Sequence, residues 1–149
     1  MPPFSFVRAI APFSFARSIA KVPGMSDYDF FVRQLRFVAG RTDRDDPEID
    51  RRMRALEAVA DRVAEGAAEI TVPAAELRDT ARALAGMAGL FQQALLPEVV
   101  AAGDPRAEAQ VRWTIDTCME MMAALQTHAD LTGDTEDRTL PLPQKPGGG

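Results

Sequence analysis

Apolar residues recur with the period of a helix from residue 26 to about residue 131 of this chain. In residues 26–39 the stripe is Tyr28, Phe31, Val32, Leu35 and Val38. Ser26 precedes it as a candidate cap, and Asp27 and Asp29 sit at the positive end of the helix dipole. Gly40 follows, where a left-handed turn would stop the helix. The second helix opens at Asp46-Pro47, a cap followed by the one helical position where proline's missing N–H costs nothing, and closes near Gly66. Its apolar residues Ile49, Met53, Leu56, Ala60, Val63 and Ala67 step by four and three alternately. The third helix starts around Pro73 and carries Leu77, Ala81, Leu84, Ala88, Phe91 and Leu95 at the same steps before Pro97 ends or kinks it. The fourth repeats the Asp-Pro device at Asp104-Pro105, aligns Val111, Ile115, Cys118, Met122, Leu125 and Ala129, and has Gly133 beyond.

Three stripes of identical spacing, joined by connections short enough to force neighbours antiparallel, predict an all-α fold, an antiparallel four-helix bundle. The small residues Ala81, Ala85, Gly86 and Gly89 let one neighbour approach the third helix closely. Ile70-Thr71-Val72 is too short to read as a strand and is taken as an extended connector. The chain divides into a flexible head, residues 1–24, a helical domain, residues 25–133, and a tail, residues 134–149. The tail is rich in proline and glycine without apolar periodicity and reads as disordered. Its Pro143-Gln144-Lys145-Pro146 fits the PxxP pattern of polyproline ligands, a pattern that proline-rich linkers also produce by chance.

The head is a nonapeptide written twice: residues 3–11 and 12–20 are identical at seven of nine positions. Read as helix, the second copy puts Ser14, Arg17, Ser18 and Lys21 on one face and Phe13, Ala16, Ile19 and Ala20 on the other. The first copy sets Ser5 and Arg8 against Phe4, Val7, Ile10 and Ala11, and Pro12 separates the two. A third, weaker echo lies in the first helix. Phe6-Val7-Arg8-Ala9-Ile10, Phe15-Ala16-Arg17-Ser18-Ile19 and Phe31-Val32-Arg33-Gln34-Leu35 all read Phe-x-Arg-x-aliphatic. Such a head suits docking into a partner's groove, anchoring at a lipid surface, or transit targeting, and it could also be unselected sequence upstream of a start at Met25.

Composition narrows the classes. A chain of 149 residues with 46% hydrophobic residues can bury one core without disulfides or metals. Its longest uninterrupted apolar runs fall short of the roughly 20 residues a membrane span needs, so an integral membrane protein is not expected. The net charge is −5, and the head alone carries Arg8, Arg17 and Lys21 with no acid, leaving −8 for the rest. That body repels nucleic-acid phosphates. One cysteine excludes an internal disulfide and makes the cytoplasm the default compartment. Fifteen arginines against two lysines hint at a GC-rich, bacterial coding sequence.

The candidate chemistry is thin. Cys118 lies near Met121 and Met122 on a helix, ligand types suited to Cu(I). His128 is ten residues away, about 15 Å along the axis, too far to share the ion. Cys118 and Met122 are also seam positions, where packing alone accounts for them. The acids Asp43, Asp45, Asp46, Glu48 and Asp50 lack the glycine and glutamate of an EF-hand loop and alternate with arginines, as on a solvated face. No nucleophile elbow, phosphate loop, dinucleotide fingerprint or zinc-protease motif occurs in the sequence. Three aromatics fall outside the stripes: Phe30 and Phe37, seven apart on one flank, and Trp113, about 160° around its helix from Ile115.

The sequence thus points to a non-catalytic adaptor or accessory subunit without cofactor or metal. It would engage a protein partner through Phe4, Phe6, Phe13, Phe15, Arg8 and Arg17 of the head and through exposed Phe30, Phe37 and Trp113, with homo-oligomers possible. The second reading is a peripheral membrane protein anchored by residues 1–24; the third is a thiol or soft-metal site at Cys118.

Overall fold

The structure is a computed structural model that describes residues 26–133 and 135–144; the duplicated head lies outside the described residues. Helix α1 spans Asp27–Arg41 and α2 spans Pro47–Ala64. A short strand β1, Glu69–Val72, leads through a 3-10 turn, Ala74–Glu76, into α3, Leu77–Leu90. A π-helical stretch, Phe91–Leu95, joins α3 to α4, Leu96–Ala101, and α5 then runs from Pro105 to Thr132. Strand β2, Arg138–Pro141, is the last described element. The protein is mostly helical, with one two-stranded sheet.

Side-chain caps fix the helix starts as the sequence suggests. Ser26 Oγ accepts from the Asp29 N–H at 3.1 Å, Asp46 Oδ1 from Glu48 at 2.8 Å, and Asp104 Oδ1 from both Arg106 and Ala107 at 3.1 Å. Gly66 and Gly133 follow α2 and α5 with positive φ, the conformation that costs glycine least. Gly40 does not: it lies inside α1, which is stopped instead by Thr42. That residue turns extended, and its N–H and Oγ1–H both donate to the Val38 carbonyl.

Pro97 neither ends nor breaks the third helix. The Leu96 N–H donates five residues back to the Phe91 carbonyl, so the wide turn resets the register just before proline. Pro97 then falls in the first turn of α4, where no donor is required of it. Residues 74–101 thereby form one continuous rod, long and apolar enough by length and composition to cross a membrane. More than half of its apolar window is buried within the fold, as in the central helix of a packed core.

The contacts give the direction of each helix. Leu77 and Ala81 share a pocket with Leu125 and Ala129, and Gln92 and Leu96 share another with Arg112 and Ile115, so the rod and α5 run in opposite senses. Theirs is the most extensive helix contact, and Gly86 and Gly89 are buried on the rod. The starts of α2 and α3 meet: Arg51 pairs with Asp79 at 3.2 Å and Glu48 with Arg82 at 3.5 Å. At the other end Phe30, beside the cleft that α1 forms with the last residues of α2, touches Phe91. Helices α2 and α3 therefore run in the same sense, and the connection between them is a crossover.

That crossover explains the strand. Helix α2 has 18 residues and advances about 27 Å. The nine residues 65–73 return the chain over a similar distance only if extended, at about 3.3 Å per residue. The connector expected from Ile70-Thr71-Val72 is therefore β1, and its partner comes from the tail. Strands β1 and β2 pair antiparallel with Ile70 opposite Leu140 and Val72 opposite Arg138. The tail is not disordered over this stretch, because Leu140 and Leu142 alternate into the core and Asp137 Oδ1 accepts the Ala74 N–H at 2.9 Å, capping the rod from 63 residues away.

The buried apolar residues form one cluster that includes every expected stripe, with Ile49, Ala67, Met122 and Ala129 at its margin. Gln34 is the exception in it: fully buried, with neither amide atom hydrogen-bonded among the described residues. An unpaired carboxamide in such a site costs about 1–3 kcal/mol. Replacing Gln34 by leucine is therefore expected to raise the unfolding free energy in urea titration. Leu84→Ala, Leu125→Ala and Leu140→Ala should each lower it by about 2–5 kcal/mol. An effect near zero at Leu140 would return the tail to disorder.

Candidate interaction surface

Burial redistributes the three aromatics proposed for partner contact. Phe30 is not exposed on a flank; it is 2% exposed and packs edge-on to Phe91 at 6.5 Å between ring centroids. The reason is that α1 is covered over much more than one stripe: Phe30, Phe31, Gln34, Leu35 and Val38 are all buried, with α2 and α5 as its main neighbours and Phe91 of the rod against Phe30. Trp113 is half-buried, and its ring stands at 90° to that of Phe31, 5.8 Å away, an attractive edge-to-face pair. Phe37 is also half-buried and has the Arg41 guanidinium 5.5 Å above its ring. Phe37 and Trp113 thus retain partial exposure, on different supports, while Phe30 is core. Phe4, Phe6, Arg8, Phe13, Phe15 and Arg17 lie outside the described residues.

The acid cluster between α1 and α2 is engaged in the local fold. Asp43 Oδ1 accepts from the Asp45 N–H, Asp46 caps α2, and Glu48 pairs with Arg52 at 2.6 Å. Asp50 bridges Arg44 at 2.8 Å and Arg54 at 3.0 Å, and Arg44 reaches Glu57 at 3.0 Å. Burial works against the charge of Arg44, yet hydrogen bonds to Asp50 and Glu57 hold its pKa above the ordinary value. Partly exposed pairs of this kind each add little stability, but together they fix the short turn between the helices.

Cys118 is fully buried, and desolvation pushes its thiol up to about 12. Met121 is buried beside it in sequence, Met122 is half-buried and Met119 faces solvent, so the methionines are spread around α5. His128 lies on the last turns of α5 with Nε2 buried and unpaired among the described residues. Among those residues no three His, Cys, Asp or Glu side chains are grouped to hold a metal ion. The PxxP stretch is tied down where it is described: Leu142 N–H donates to the Ala68 carbonyl at 3.0 Å, and Gln144 Nε2 to that of Ala67 at 3.2 Å. A groove recognising it in polyproline form would first have to break those bonds.

A feature that pattern reading misses is a cleft of about 620 Å³ between the start of α1 and the end of α2. Tyr28, Asp29, Val32, Arg33 and Arg36 line one side; Ala64, Glu65 and Gly66 line the other. Tyr28 and Val32 form its apolar floor, and Arg36 and Glu65 are held by Asp61 at 3.2 Å and Arg62 at 3.1 Å. Asp29 and Arg33 are exposed and make no ion pair among the described residues. Each residue is legible alone, as stripe, cap or helix stop, but the cleft depends on how far the two helix ends diverge, which spacing does not encode. Comparison with known proteins returns no match to this chain among family models, curated proteins or solved structures.

The buried Cys118 thiol gives a testable pH dependence of stability. Its raised pKa means that the folded protein keeps a proton the unfolded chain loses, so the stability it contributes is full below about pH 9 and falls as pH rises toward 12. Relative to Cys118→Ala, the wild type is expected to lose about 1.4 kcal/mol per pH unit above pH 9. Thiol reagents should label the native protein only as fast as it opens. Rapid labelling at pH 7, or copper retained through purification, would reinstate the soft-metal reading.

Proposed function

We propose that this protein is a non-catalytic adaptor or accessory subunit, a small four-helix bundle with one crossover connection that docks a protein partner through its duplicated N-terminal segment. The observation that carries the reading is in α1, which contains the same Phe-x-Arg-x-aliphatic unit. There Phe31 and Leu35 are fully buried against neighbouring helices while Arg33 points to solvent without a partner among the described residues. Phe6 with Ile10 and Phe15 with Ile19 repeat that four-residue spacing, and Arg8 and Arg17 repeat the position of Arg33. Two further units of a helix-packing element, beyond those the core uses, are suited to a hydrophobic groove on another protein. Their duplication raises avidity through effective concentration. Phe37 and Trp113, still partly exposed, extend the contact.

A protein groove is favoured over lipid because anionic membranes contribute about 1 kcal/mol per basic residue and the head carries three. The body charge of −8 argues against nucleic acid. With one buried thiol, the reading places the protein in a reducing cytoplasm, as a monomer or a homo-oligomer.

The test replaces Phe4, Phe6, Phe13 and Phe15 by serine and leaves every arginine in place. Native affinity purification read by mass spectrometry, and sedimentation with phosphatidylserine vesicles, are then compared with wild type. Loss of specific protein recovery with unchanged vesicle behaviour is the expected result. Vesicle binding that depends on the four phenylalanines, with no protein recovered, would replace the adaptor by a peripheral membrane protein.

A further inference from the structure

We propose that the cleft between the start of α1 and the end of α2 is a binding site for a small zwitterion, an α-amino acid with a compact apolar side chain. The site uses none of the residues assigned to partner docking, so the two readings stand or fall separately.

An ion pair that does not form gives the first indication. On the helices of this chain an acid precedes an arginine by four residues at Glu48 and Arg52, Asp50 and Arg54, Glu108 and Arg112, and Asp29 and Arg33. Both the spacing and the order favour contact. The first three pairs close, at 2.6, 3.0 and 2.9 Å. Asp29 and Arg33 share the pattern, yet they make no ion pair among the described residues, and they are the pair that stands in the lining of the cleft. One anionic and one cationic group are thus left side by side, each with its hydrogen-bonding capacity unused.

The cleft is also polarised along its length. Where α1 starts, Asp29 lies across from Glu65 and the last residues of α2, and the carbonyl end of that helix is the negative pole of its dipole. One to two turns further along α1 come Arg33 and Arg36, the latter opposite Asp61. An ammonium group is favoured at the first end and a carboxylate at the second. Asp29 and Arg33 are about 6 Å apart along the helix axis. A main-chain zwitterion bridges such a gap, because each of its charged groups adds a charge-assisted hydrogen bond of about 2.8 Å.

The remaining lining selects the side chain. Tyr28 and Val32 are buried and give an apolar floor, with Ala64 and Gly66 opposite. A Cβ added at Gly66 would meet nothing within 4 Å, so that wall stands open to a ligand. The other two charged residues, Arg36 and Glu65, are engaged by Asp61 and Arg62, which leaves no free partner for a charged side chain. A volume of about 620 Å³ falls in the range of small-molecule sites and admits an amino acid without movement of the helices.

The experiment titrates L-leucine into the isotope-labelled full chain and follows amide shifts at residues 28–36 and 64–66. Leucinamide, which lacks the carboxylate, and N-acetyl-leucine, which lacks the ammonium group, serve as controls. Leucine is expected to bind in the millimolar range and each control about tenfold more weakly. Arg33→Gln and Asp29→Asn should each weaken leucine about tenfold, with urea unfolding nearly that of wild type because both side chains are exposed. Arg33→Gln should also abolish the preference for leucine over leucinamide, and Asp29→Asn the preference over N-acetyl-leucine. Leucine that shifts no amide at the cleft overturns the proposal, as do three compounds that bind alike or two variants that bind leucine as wild type does. Partner recovery by the four-serine variant is read independently and does not change with any of these outcomes.

Discussion

Beyond its first turns the third helix has no solvent face: from Ala83 to Phe91 not one residue is exposed. A helix that is apolar all round is stable in water only if it is covered on every side, and two antiparallel neighbours cannot do that. Here α5 covers one side, α2 crosses the beginning, and α1 lies against the far end through Phe30 and Phe91. The sheet, which packs on α2 and α5, buries Val72, Leu140 and Leu142 in the same core. The same demand accounts for the wide turn at residues 91–95. A rod that must remain continuous past Pro97 needs somewhere to lose a hydrogen-bond register, and the π-helical stretch supplies it without interrupting the buried surface.

The requirement also makes the two ends of the domain depend on each other. Because α2 and α3 start together, the chain must return along the domain between them, and an extended segment carries unpaired backbone groups. Strand β1 meets that need with β2, from a stretch whose composition suggests no structure at all. Asp137 contributes a second tie, since the first turn of the rod begins with Pro73 and has no local side-chain cap. The tail therefore satisfies both the edge of the returning strand and the start of the central helix.

What spacing encodes, the sequence made legible: the stripes, the Asp-Pro caps and the glycine stops at Gly66 and Gly133 are local features with local causes. Misreadings arose where the answer depends on a distant segment. Phe30 lies off its helix's stripe, and only the approach of Phe91 turns that flank into core. Leu140 and Leu142 alternate correctly for a strand, but four residues with two prolines nearby carry too weak a signal until Ile70 and Val72 are seen to need a partner. The twelve residues 65–76 read as a short connection in the sequence, but an extended chain of that length spans α2. For the interaction surface, Trp113 could be recognised as unusual from its polar neighbours, whereas the cleft beside α1 has no sequence signature.

The repeated unit links these two levels. In α1 the pattern Phe-x-Arg-x-aliphatic packs with Phe31 and Leu35 fully buried, Phe31 edge-to-face against Trp113. The pattern itself is only a one-sided apolar ridge, five residues long, too short to be a stable helix in isolation. The head carries the same five-residue pattern twice, with Pro12 between the copies.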